Sequence, residues 1–185
     1  MIFHGKAILL GDNVPTDGGL ASHRFVTEQV YDQEFLAKHC MSEIDPSWVK
    51  KVNPGDIIVA GKRFACGTPH VQGFLALKGL KVACVVESIP RGSFRSAISA
   101  GVPILPRCPD VHSHFSDGDE IKVDYFTGAV TNCSSSKVFQ YKPLHETVLD
   151  IINAGGDIGY LQILIKMHPE KFKGRLCPPP LCQCK

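Results

Sequence analysis

The sequence predicts an α/β domain, a mixed sheet core with flanking helices, on three observations. Two apolar runs, Ile57–Ala60 and Lys81–Val86, are nearly continuous rather than alternating, which marks strands buried on both faces. Around them lie stretches of helical character closed by glycine, so strand, helix, strand, helix and strand follow one another through the centre. Further on, Ile121-Lys122-Val123-Asp124-Tyr125 alternates like a half-buried strand, and Thr127-Gly128 turns it towards Ala129-Val130-Thr131.

In chain order, Gly5–Leu10 is a short strand ending at the turn signal Gly11-Asp12-Asn13, and a loop with two glycines, Pro15–Gly19, follows. Tyr31–Met41 turns helical, with Phe35, Leu36 and Cys40 recurring on one side. Asp45-Pro46-Ser47-Trp48 has the form of a helix start, because proline is tolerated in a first turn. Asn53–Asp56 is a turn into the Ile57–Ala60 strand, and Gly61–Gly67 is a loop containing Phe64. Val71–Leu77 suits a helix stopped near Gly79, and Phe94–Ala100 suits another ended by Gly101. Val102–Leu105 starts a further strand. Leu144–Ala154 is an amphipathic helix ended by Gly155-Gly156, and Tyr160–Lys166 is a last helix. Beyond Pro169 nothing is periodic. The expected organisation is therefore one domain over residues 1–168 and a Cys/Pro-rich tail, 169–185, without regular structure.

Composition excludes several classes of function. The formal charge of +2 with no Lys/Arg run leaves no electrostatic footprint for nucleic acid or a membrane surface. Met1–Lys6 does not open a secretory signal, and the apolar runs are too short to span a bilayer, so a cytoplasmic location is expected. In that setting the eight cysteines are read as reduced thiols, with Cys66 and Cys84 in core-like surroundings. The tail cysteines, Cys177, Cys182 and Cys184, lack the paired spacing of a zinc site, and adjacent His39 and Cys40 do not make one either. No metal site is expected; a tail-mediated metal or redox sensor is the least favoured functional reading.

Four groups of residues then combine. They are Gly11-Asp12-Asn13-Val14-Pro15-Thr16-Asp17; Leu36–Met41 with Asp45-Pro46 and Pro54–Gly61; Ala76–Gly79 with Ser93–Ile98 and Gly101–Ile104; and finally Asp117–Ile121 with Ala154–Gly156. In this collinear order, over about residues 5–166, the chain resembles the small-subunit family of aconitase-type dehydratases. Within it the likeness is to 3-isopropylmalate dehydratase (isopropylmalate isomerase) and homoaconitase. The resemblance implies a swivelling β/β/α domain and a hydro-lyase that dehydrates a hydroxy-carboxylic acid and rehydrates it at the neighbouring carbon. It also implies a separate large subunit, in a heterodimer or heterotetramer, that carries a 4Fe–4S cluster. No cofactor is then expected in this chain, which offers no three-cysteine set of cluster spacing.

Such a reaction needs a base for the proton alpha to a carboxylate, and cations and donors for the carboxylates. The family supplies base and clamp from a loop reading Gly-Cys-Gly-Ser-Ser-Arg-Glu-His. The corresponding stretch here is Ala65-Cys66-Gly67-Thr68-Pro69-His70-Val71-Gln72. Thr68 keeps a hydroxyl where the resemblance places the catalytic serine. Pro69 loses a donor, and His70 exchanges a permanent bidentate cation for a switchable one. If His70 binds a carboxylate as a cation, activity falls as pH rises through its titration.

The candidate catalytic residue is thus Thr68, with Gly67, His70, Thr16, Asp17 and Arg24 as candidate substrate-binding residues. Thr68 reads equally as a cap for the helix beginning near Val71, His70 as a surface histidine, and Thr16-Asp17 as a simple turn. The basic position at Arg24 is offset by one from the family pattern, which admits His23 in its place. Arg95 fits the family frame in a structural or interface role. Two functions follow: an enzyme subunit with altered substrate, or a non-catalytic structural or regulatory partner of an iron–sulfur large subunit.

Overall fold

The computed structural model describes residues 1–172, and the tail cysteines lie outside them. Its first strand, β1 (Ile2–Leu10), is the seam of the molecule. Residues Ala7–Leu10 pair in parallel with Ile57–Ala60, which is β2. Residues Ile2–Lys6 pair antiparallel with β5 (Glu120–Asp124). From that seam β3 (Ala83–Val86) and β4 (Ile104–Leu105) extend the parallel half. β6 (Ala129–Asn132) and β7 (Lys137–Gln140) extend the antiparallel half, and the seven-stranded order is β4-β3-β2-β1-β5-β6-β7.

The burial pattern follows from this division. Every residue of β2 and β3 is buried, as strands covered on both faces must be, whereas β5 alternates exposed and buried positions. The halves are also tied side chain to backbone. Tyr125, fully buried just past β5, donates its hydroxyl to the Cys84 carbonyl of β3 at 2.9 Å.

The helices, in chain order, are α1 (His23–Thr27), α2 (Gln33–Lys38), α3 (Val71–Leu80), α4 (Arg91–Ala100), α5 (Glu146–Asn153), α6 (Asp157–Met167) and α7 (Pro169–Phe172). Helices α3 and α4 are the crossovers of the parallel half, and α2 packs on α3. Their approach is close: a Cβ on Gly79 of α3 would lie 2.3 Å from the Gln33 carbonyl oxygen. No single described helix is long and apolar enough to cross a membrane.

The α/β architecture, the mixed sheet and the flanking helices agree with the sequence. Several element boundaries do not. The helix expected over Tyr31–Met41 is only α2, because Asp32 caps it by accepting from the Phe35 amide at 2.7 Å and Met41 turns left-handed at φ 59°. The helix start at Asp45–Trp48 leads into a 3₁₀ turn, Trp48–Lys51. Helix α1 and strand β7 were not expected. The first is too short to display a period, and the second is an edge strand, Lys-Val-Phe-Gln, with mostly exposed residues. Structure also continues past residue 168. Pro169 opens α7, since a helix's first turn needs no amide donor there, so the expectation of an unstructured chain beyond Pro169 is corrected for 169–172.

Candidate functional site

Three loops leave the carboxyl ends of β1, β2 and β3 and converge, the place where open parallel sheets form their crevices. The loops after β1 and β2 are laced by backbone hydrogen bonds. The amide of Asn13 donates to the Lys62 carbonyl (2.8 Å), that of Cys66 to Val14 (3.0 Å), and that of Thr16 to Cys66 (2.9 Å). The third loop joins through the Phe64 amide on the Ser88 carbonyl and the Arg63 amide on Ser88 Oγ, both 2.9 Å.

At the centre is the Ala65 carbonyl. It accepts from Thr16 Oγ1 at 3.1 Å and from Ser93 Oγ of α4 at 2.5 Å, and both side chains are fully buried. A few residues on, Ser96 Oγ donates to the Pro69 carbonyl at 3.1 Å. The loop so gripped is strained. Arg63, Ala65 and Gly67 all have positive φ (57°, 53° and 89°), a conformation that costs a non-glycine residue about 1 kcal/mol or more. Only Gly67 meets it without that penalty, and a Cβ there would face open space.

Thr68 is exposed on this loop, and its hydroxyl has no hydrogen-bond partner among the described residues. It does not cap α3. The N-cap is His70 (φ −64°, ψ 141°), which makes no side-chain cap bond and instead turns its ring to the first loop. His70 Nδ1 lies 2.8 Å from Asp17 Oδ2 and 3.0 Å from Oδ1, both groups being partly buried. His23, at the start of α1, places its ring edge-on to His70 with centroids 5.7 Å apart. Ligand-capable atoms of Asp17, His23 and His70 all lie within 4.8 Å of one another.

Among the sequence candidates the structure thus brings Asp17 and His70 together, buries Thr16 beneath the same loop and leaves Gly67 and Thr68 exposed on it. Arg24 stands apart. Its side chain is 76% exposed and donates through Nε to Glu28 Oε1 at 2.6 Å, one turn along α1, so at the offset position it is His23 that adjoins His70. Glu43, unremarked in the sequence, lies beside the loop after β1: a Cβ on Gly18 would come within 3.2 Å of its Oε2. No sequence spacing links it to the other residues.

No family model matches the chain. Relatives match it almost end to end. It is 37% identical over 174 residues to the 3-isopropylmalate dehydratase small subunit 1 of Methanopyrus kandleri, covering 94% of this chain and 98% of that one. It is 38% identical over 163 residues to a 3-isopropylmalate dehydratase small subunit of Caldicellulosiruptor bescii, covering 88% and 96%. The chain belongs to the 3-isopropylmalate dehydratase small-subunit family. The isopropylmalate/citramalate isomerase small subunit of Methanocaldococcus jannaschii is 37% identical over 162 residues, covering 87% and 94%. A solved structure, that of 3-isopropylmalate dehydratase from the same organism, superimposes with a TM-score of 0.82 at 30% identity, covering 92% of this chain and 99% of that one.

For a member of this family, an iron–sulfur cluster is the expected cofactor of the reaction, and the described cysteines do not fit one. Cys40, Cys84 and Cys108 are fully buried, and burial pushes the Cys40 and Cys108 thiols up to about 12 and the Cys84 thiol higher still. A cluster needs thiolates that share one accessible cradle. The group of potential ligands found among the described residues contains no cysteine.

Proposed function

We propose that this chain is the small subunit of a two-chain hydro-lyase that dehydrates or isomerises a small hydroxy-carboxylic acid, with a substrate differing from its relatives' at one group. Its large-subunit partner carries the 4Fe–4S cluster, and the complex works in the cytoplasm. The observation that supports this reading is the His70–Asp17 pair beyond the carboxyl end of the parallel strands, two residues after exposed Thr68. The family assignment supports the reaction class.

In this reading Thr68 Oγ1, as the alkoxide once its own proton has passed to solvent, takes the proton alpha to a substrate carboxylate and becomes the hydroxyl again. Asp17 orients His70 through Nδ1 and leaves Nε2 for the substrate. Thr16 acts from beneath by fixing the Ala65 carbonyl and with it the loop. A guanidinium holds a carboxylate with two parallel bonds, whereas a single imidazole nitrogen makes one, so the group bound here is smaller or less charged.

One observation favours the alternative, a non-catalytic partner: no described group is placed to activate the Thr68 hydroxyl. Isolation of the chain with its native partner decides between them. Recovery of an iron–sulfur large chain whose complex turns over a hydroxy acid is the expected result. A complex with the cluster but no turnover on a panel of hydroxy di- and tricarboxylates would leave the structural role.

A further inference from the structure

From the placement of Asp17, His23 and His70 we infer a divalent transition-metal site of two imidazoles and one carboxylate in this chain. Its role in the reaction, though not its existence, rests on the function proposed above.

The donor set suits zinc, cobalt(II) or iron(II): imidazole and carboxylate in a 2:1 ratio on one side of the ion, with further positions open. Around an ion bound at about 2.1 Å, tetrahedral donors lie about 3.4 Å apart. Asp17 and His70 are already closer than that, at 2.8 and 3.0 Å. The whole set falls within 4.8 Å, so His23 must close by about 1.4 Å at most while Asp17 and His70 part by about half an ångström. His23 is also the exposed member, on the first residue of a short helix, so a rotamer change costs it only the edge-on contact with His70.

The other two ligands are held in place before any ion arrives. Backbone bonds from Thr16 and Gly18, to Cys66 at 2.9 Å and Ala21 at 2.8 Å, bracket Asp17. His70 is fixed as the first turn of α3 begins, and its side chain is not spent on capping. No Lys or Arg pairs with the Asp17 carboxylate among the described residues; its basic neighbours are the imidazoles of His70 and His23. A divalent ion brings the positive charge this pocket lacks.

Exposed Gly67 and Thr68 precede His70 by three and two residues, and the His70 amide donates to the Thr68 carbonyl at 2.9 Å. An ion held by Asp17 and His70 would replace their hydrogen bond and, instead of the imidazole, offer a substrate carboxylate or hydroxyl oxygen a positive charge.

The test uses the full-length chain with Cys177, Cys182 and Cys184 changed to Ser, so that tail thiols cannot bind the probe. The chelator-stripped protein is titrated with Zn2+ by calorimetry and with Co2+ by visible absorption. One ion per chain is expected, with ligand-field bands for Co2+. Asp17→Ala, His23→Ala and His70→Ala should each weaken binding at least about tenfold. His39→Ala, whose ring contacts the Phe35 carbonyl instead, should leave it unchanged. Far-UV circular dichroism checks that each variant folds. No stoichiometric binding, or binding indifferent to all three ligand substitutions, overturns the site. Because the readout is on the isolated chain, an active complex built from a chain that binds no Zn2+ sinks the site alone. A chain that binds Zn2+ through these residues but supports no turnover with its partner upholds the site and sinks the function.

Discussion

The Nδ1 atom of His70 sits 2.8 and 3.0 Å from the two oxygens of Asp17, a residue 53 positions earlier in the chain. The pair ties the loop after β1 to the start of α3. Asp17→Asn keeps the shape and removes the charge that orients the imidazole. A hydrogen bond to a charged group contributes about 1.5–3 kcal/mol, so kcat/KM of the reconstituted complex should fall about 10- to 100-fold with little change in folding. Steady-state kinetics across substrate concentration would check this. Unaltered kinetics would reduce the pair to a loop clasp.

Thr68 separates the two functional readings. Being exposed and outside the α3 cap, it contributes little to stability, so Thr68→Ala should unfold at the wild-type denaturant midpoint. Loss of a catalytic proton acceptor should lower kcat about 100-fold or more, while Thr68→Ser retains most activity. Full turnover by the alanine variant would mark the loop as silent.

Gly73 of α3 carries the site from behind. A Cβ there would lie 2.9 Å from Leu20 Cβ and 3.2 Å from Thr16 Cγ2. Gly73→Ala therefore pushes on the loop that holds Thr16 and Asp17. Overpacking of this kind costs about 1–3 kcal/mol, readable as a lowered urea midpoint, with activity falling further than stability alone accounts for. A midpoint equal to the parent's would show that the loop yields freely.

Cys40, Cys84 and Cys108 are held protonated in the folded state by burial, well above a free thiol. A folded pKa raised above the unfolded value gives stability that is complete below the unfolded pKa and is lost as pH rises towards the folded one. Stability should thus decline from about pH 8.5 upward. Urea midpoints at pH 7.5 and pH 10 measure it. In the native chain at pH 8, iodoacetamide should label Cys66 and Cys133, which are partly exposed, well before these three. Equal labelling of all five would contradict the packing.

Much of the fold was legible because the parallel strands announce themselves. Ile57–Ala60 and Ala83–Val86 are buried on both faces, so no polar residue interrupts them. Strand β7 was missed for the opposite reason: an exposed edge leaves its side chains almost free of a pattern. The loop candidates emerged from the family resemblance. The company His70 keeps did not, since Asp17 and His23 reach it through backbone pairings such as Pro15 with Cys66 that no local period encodes. The left-handed turns at Arg63 and Ala65 were equally hidden, as neither residue type signals one.

The divided pairing of β1 has a consequence for how the chain is made. Its second half finds β2 about fifty residues downstream, but Ile2–Lys6 must wait for Glu120–Asp124. During synthesis those residues stay an open strand edge until Glu120–Asp124 has emerged, which at ribosomal speeds takes about 5 s or more. Closing so distant a pairing is also the slow kind of contact to form. The amino terminus, rather than the crevice, is therefore where a nascent chain is most exposed to pairing with a neighbour.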